Sequence, residues 1–116
     1  MNIQIFGKTK CFDTQKAQRY FKERKIPFQY INMSDKGMSK GELEKVLRGV
    51  GGMENLLDYK TKDQDKLLRI KYAKEQDRTA LLLENQHLIK TPVVRNGNKA
   101  TAGYEPGVWK EWEGNK

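Results

Sequence analysis

The chain has 116 residues, and among them are one cysteine and one histidine. A lone cysteine cannot close an internal disulfide, and a single histidine beside it cannot complete a cysteine-rich metal centre. The want of disulfides fits a reducing compartment, so a cytoplasmic protein is expected. No apolar run approaches the ~20 residues of a membrane-spanning helix. The first six residues carry no basic stretch followed by an apolar one, so no signal peptide is expected either. Internal repeats, low-complexity segments and interdomain linkers are also missing.

What remains is a polar but patterned chain. Hydrophobic residues make up 36% and charged residues 33%, yet the apolar ones recur at helix and strand spacing, which argues against disorder. The length suits one domain over residues 1–116 with one modest core. A net charge of +8 permits an anionic partner. The lysines are spread along the whole chain, however, so most read as a solvated surface, and direct nucleic-acid or membrane binding is not expected.

Residues 3–6 alternate as a strand, and residues 13–24 read as a helix with Ala17, Tyr20 and Phe21 on its buried face. Asp13 or Thr14 can cap or charge-complement its first turn. Between strand and helix lies Gly7-Lys8-Thr9-Lys10-Cys11-Phe12-Asp13-Thr14. The only cysteine thus sits where unpaired N–H groups and the positive end of a helix dipole gather, and a thiolate is favoured there. Lys8 and Lys10 add positive charge, while Asp13 would oppose a charged sulfur if its carboxylate approached it.

Pro27 ends the helix, and residues 28–32 read as a second strand, parallel to the first. Ser39-Lys40-Gly41-Glu42 forms an S-x-x-E capping box, followed by Leu43, Val46, Leu47 and Val50 at helical spacing. Gly49, Gly51 and Gly52 are expected to end that helix. Residues 53–57 read as a short helix or turn. Two further helices are expected over residues 63–72, with Leu67, Leu68 and Ile70 apolar, and residues 77–85, with the run Ala80-Leu81-Leu82-Leu83. Residues 91–95 and 99–102 then form a hairpin across Asn96-Gly97. A last helix over residues 105–113 buries Val108, Trp109 and Trp112.

This order describes an α/β fold: a thioredoxin-like mixed four-stranded sheet with a helical insertion. The core is expected from residues 1–38 and 88–116, the insertion from about 39–87. Three local features then resemble the arsenate reductase (ArsC) family, including its relatives of the Spx type. They are the strand–loop–Cys11–helix unit, the segment Leu88-Ile89-Lys90-Thr91-Pro92-Val93-Val94, and Gly103-Tyr104 after the hairpin. The resemblance covers about residues 3–112. It implies that Cys11 is the nucleophile and that Pro92 is cis and lies beside it, leaving nearby backbone free to pair with an extended partner. Spx-type members often carry a second cysteine at the position of Thr14, so an internal disulfide switch is not available here. Arsenate reductases of this type hold their oxyanion with three arginines. This chain offers Lys60, Lys90-Thr91 and Gly103-Tyr104 at the corresponding places. Lysine does not reproduce the planar bidentate fork of a guanidinium, so efficient arsenate reduction is not expected.

The expected function is thiol–disulfide or glutathione-linked reduction with Cys11 as the single catalytic residue. Lys8, Lys10 and Lys60 would lower its pKa or attract an anionic thiol, Thr14 would donate a hydrogen bond to the sulfur, and Thr91 and Pro92 would line the thiol site. No bound cofactor is expected. Glutathione, another low-molecular-weight thiol or a redox protein would complete turnover. The alternative is a Spx-like transcriptional regulator that binds RNA polymerase. His87 reads as an ordinary helix-end residue, Trp109 and Trp112 as packing, and Gly51-Gly52 lacks the strand and Lys-Ser/Thr of a phosphate loop.

Overall fold

Alternation along β1 (Ile3–Gly7) sends Ile3 and Ile5 to one face of a sheet and Phe6 to the other. In the computed structural model, which describes residues 1–114, that alternation divides the core in two. The sheet has the order β2-β1-β3-β4. β1 pairs in parallel with β2 (Phe28–Asn32), Ile5 lying opposite Tyr30, and antiparallel with β3 (Val93–Asn96), Ile5 lying opposite Val94. β4 (Lys99–Ala102) closes the hairpin with β3. This is the thioredoxin-like mixed sheet expected above.

α1 (Phe12–Glu23) and α5 (Pro106–Gly114) cover one face. Ala17, Tyr20 and Phe21 meet Trp109 and Trp112 over Ile3, Ile5 and Val94. Trp109 is fully buried, and its Nε1 donates to Thr101 Oγ1 at 2.8 Å, so the indole enters the core with its polar atom satisfied. The other face carries α2 (Lys40–Val50), α3 (Gln64–Lys71) and α4 (Glu75–Glu84), whose apolar residues pack with Phe6 and Val93. No helix among the described residues is long and apolar enough to cross a membrane.

The capping box forms as the motif requires: Glu42 N–H donates to Ser39 Oγ at 3.2 Å, and Ser39 N–H to Glu42 Oε1 at 2.9 Å. Three expectations change. α1 begins after the N-cap Cys11, so neither Asp13 nor Thr14 caps it, while Asp13 does stand in the first turn where its charge complements the dipole. Gly49 does not end α2 but lies inside it, because a Cβ there would stand 2.8 Å from Ala100 Cβ and 2.9 Å from its backbone nitrogen. α2 therefore packs directly on β4, and the helix ends at Gly51 in the left-handed region. Leu68 points to solvent at 45% exposure while Leu67 and Ile70 are buried, and of residues 80–83 only Leu82 is fully buried.

Candidate functional site

The site starts from the contact between the end of β1 and the first turn of α1. A Cβ at Gly7 would lie 2.3 Å from Thr14 Cγ2 and 2.6 Å from its Oγ1. Only glycine lets the helix start rest on the strand end. Thr14 is buried there, and its hydroxyl accepts from the Lys8 N–H at 3.4 Å. That leaves the hydroxyl proton free to donate elsewhere. The loop closes through Cys11 N–H to Lys8 O at 3.0 Å, and Gln15 N–H to Cys11 O at 3.1 Å begins the helix. The half-buried thiol is thereby held at the α1 N-terminus.

The second half of the site comes from 80 residues away. Because β3 is the antiparallel neighbour of β1, with Phe6 opposite Val93, the residues preceding Val93 arrive beside Cys11. The Thr91–Pro92 bond is cis. Thr91 Oγ1 donates to Cys11 Sγ at 3.3 Å, and Sγ lies 3.8 Å from Thr91 O, where a neutral thiol can donate back. Pro92 O accepts from Gly103 N–H at 2.8 Å, tying this turn to the end of β4.

Burial pushes the Cys11 thiol pKa up, but the hydroxyls of Thr14 and Thr91 and the amides of Thr14 and Asp13 outweigh it, so the pKa lies below the ordinary thiol value. Neither Lys8 nor Lys10 is among the strongest influences, and Asp13 figures among them through its N–H and not its carboxylate. Lys8 turns its ammonium to His87 O at 3.4 Å, and Lys10 is exposed.

Cys11 opens into a cleft of about 660 Å³, which also holds Thr91, Lys60 and Lys90, within the range of ligand sites. Among the described residues lining it, Lys8 and Lys10 are missing. Four carboxylates share it: Asp13, Glu54, Asp58 and Glu105. Glu54 and Glu105 were not singled out from sequence. They come from the turn after α2 and the loop before α5, which only tertiary packing brings together, and no spacing signals them. His87 lies elsewhere, its Nε2 2.9 Å from Asp63 Oδ2. No group of three or more His, Cys, Asp or Glu side chains among the described residues could hold a metal ion. The arrangement can stabilise a thiolate and present it to a cleft. It can form a mixed disulfide, and it holds no second thiol to resolve one.

A sequence profile of the ArsC family matches residues 6–112. Among curated proteins, the Global transcriptional regulator Spx 2 of Oceanobacillus iheyensis is 26% identical over 106 residues, covering 90% of this chain and 78% of that protein. The uncharacterized protein YusI of Bacillus subtilis is 24% identical over 116 residues, covering 96% and 98%. Among solved structures, an ArsC family related protein from Bacteroides fragilis superposes with a TM-score of 0.83 at 21% identity, covering 96% of this chain and 97% of that one. An arsenate reductase from Vibrio cholerae gives 0.82 at 21% identity, with the same coverage. At such identities the structural likeness speaks for the fold.

Proposed function

The chain belongs to the ArsC family, and from that premise we propose that it is a thiol-redox protein with Cys11 as its sole nucleophile. The observation that carries the reading is the set of donors around Sγ, above all Thr91 Oγ1 at 3.3 Å, which favours the thiolate over the thiol. In the first step the thiolate attacks a disulfide. A Cys11–S bond forms, the old S–S bond breaks, and the leaving sulfur departs with the electron pair and takes a proton from water. A low-molecular-weight thiol such as glutathione, or a redox protein, then attacks the mixed disulfide and returns Cys11 to the thiolate. Thr14 and Thr91 hold the sulfur, Lys60 sits in the cleft, and Pro92 follows Thr91 across the cis bond but is not among the described residues lining the cleft. Efficient arsenate reduction is not part of the proposal, because Lys60 and Lys90 stand at two of the three arginine places and Gly103-Tyr104 at the third.

The test is the pH dependence of Cys11 alkylation by iodoacetamide. The rate is expected to titrate below the free-cysteine value of about 8.5. Glutathione disulfide should add one glutathione near neutral pH, and Cys11→Ser should abolish the adduct while keeping the fold. Titration at or above the free-thiol value, with no adduct by mass spectrometry, would sink the proposal.

A second reading is favoured by the relatives named global transcriptional regulators: a regulator that binds RNA polymerase, as the likeness to Spx-type proteins implies. Thr14 in place of a second cysteine denies it an internal disulfide switch. Retention of polymerase subunits on the purified protein, undiminished in Cys11→Ser, would favour this reading over the first. Both readings are of a cytoplasmic protein.

A further inference from the structure

We propose that the oxidised partner of Cys11 is a polypeptide cysteine flanked by apolar and basic residues, in preference to a small anionic disulfide such as oxidised glutathione. The inference rests on the thiol-redox reading and names the substrate class for that site.

Phe12 follows the nucleophile directly, its Cα about 3.8 Å from that of Cys11, and it is 78% exposed. Tyr59 lines the Cys11 cleft and is 48% exposed, with its hydroxyl anchored on Glu54 O at 2.9 Å. Two large rings beside a nucleophile gain burial only when a partner surface covers them. Phe12 is not among the described residues lining the cleft, so a small disulfide seated there leaves it in water. A polypeptide that continues past its cysteine crosses the α1 start and covers it.

The cleft wall supports the apolar half of the claim, since Val50, Leu57 and Val108 all line it. A side chain next to the partner cysteine can bury there, at about 25 cal/mol per Å² of apolar surface. The charges support the other half. Asp13, Glu54, Asp58 and Glu105 face only Lys60 and Lys90 within the cleft. With Glu54 Oε1 3.7 Å from Arg78, three carboxylates still meet two ammonium groups. The cleft is therefore opposite in sign to the chain as a whole, whose net charge is +8. At physiological salt the Debye length is about 8 Å, so a partner seated among these carboxylates responds to them most strongly, with Lys71 Nζ 5.8 Å from the Tyr59 ring and Lys10 next to Cys11 as further cations outside the lining. Oxidised glutathione is net negative and gains nothing from the cleft.

The experiment uses the full chain and four 2-pyridyl mixed disulfides. One is made on mercaptoethanol and one on glutathione. Two are made on capped pentapeptides with leucine on either side of the cysteine, ending in lysines or in glutamates. The thiolate attacks the sulfur of the carrier, and the pyridyl sulfur leaves with the electron pair and is read as pyridine-2-thione by absorbance. Each rate is divided by that of mercaptoethanol attacking the same compound. The lysine peptide is expected to exceed both the glutathione compound and the glutamate peptide by about tenfold, a gap that added salt narrows. Phe12→Ser should slow the lysine peptide severalfold more than the mercaptoethanol compound. Peptide rates within about twofold of the glutathione compound, or an equal effect of Phe12→Ser on all four, would overturn the inference while leaving the thiol-redox reading intact. If the mercaptoethanol compound itself fails to react, the thiol-redox reading falls and takes the inference with it.

Discussion

Thr91→Val removes one hydrogen-bond donor from the sulfur and little else. Valine keeps the β-branched shape beside Pro92, so the packing of the turn survives. The lost bond is the 3.3 Å contact from Oγ1 to Sγ. Hydrogen bonds to charged groups are worth about 1.5–3 kcal/mol, and a half-exposed sulfur belongs at or below the lower end of that range. With one pKa unit equal to about 1.4 kcal/mol, the Cys11 pKa should rise by about one unit. At a pH below both pKa values the thiolate population then falls about tenfold. The more basic thiolate is also the better nucleophile, with a Brønsted coefficient of about 0.4–0.5, which restores about threefold. Iodoacetamide should therefore alkylate the variant about threefold more slowly on the acid limb, and about threefold faster on the alkaline plateau, where both thiols are ionised. The two pH–rate curves cross. A merely steric or folding effect would scale the whole curve by one factor and leave its midpoint in place. That outcome would refute the assignment of Thr91 as a donor to the thiolate.

Two further outcomes follow from the same geometry. Gly7→Ala should lower the urea midpoint by the equivalent of about 1–3 kcal/mol and raise the Cys11 pKa, since the new Cβ would lie 2.3 Å from Thr14 Cγ2 and must push the α1 start away; an unchanged midpoint would show that strand and helix part without cost. Purified protein with glutathione and glutaredoxin should show little arsenate reduction, and turnover on the order of 1 per second or more would show that Lys60 and Lys90 replace arginines well enough.

The strands were legible because their signals are local. Alternation in residues 3–6, the break at Pro27 and the Asn96-Gly97 turn each act within a few residues, and the observed strands follow them. The surroundings of the sulfur were legible only in part. Lys8 and Lys10 flank Cys11 in sequence, but a four-carbon stem carries an ammonium away from its own backbone, and that of Lys8 reaches His87 O. Thr14 acts on the sulfur because it is one helical turn on, a spacing that sequence shows. Thr91 acts because β1 and β3 are neighbours in the sheet, so its role depends on topology. Gly49 reads as a helix terminator in isolation, and only the approach of Ala100 explains it as a packing residue. Asp13 was legible as a neighbour of Cys11 in α1, but Glu54 and Glu105 carried no periodic signal, for they lie in a turn and a loop joined by nothing but packing.

The direction of β1 has a practical consequence for trapping partners. It is an inner strand, and it runs from Ile3 toward the loop that ends at Cys11. At about 3.3 Å per residue its start lies roughly 15 Å from its end, at the opposite rim of the sheet from the sulfur. A linker joined ahead of Met1 would therefore tether the protein to a bead or sensor chip with Cys11 facing the solution. On such a surface the protein becomes its own covalent bait: denaturing washes remove everything but disulfide-joined molecules, and a reductant then elutes them.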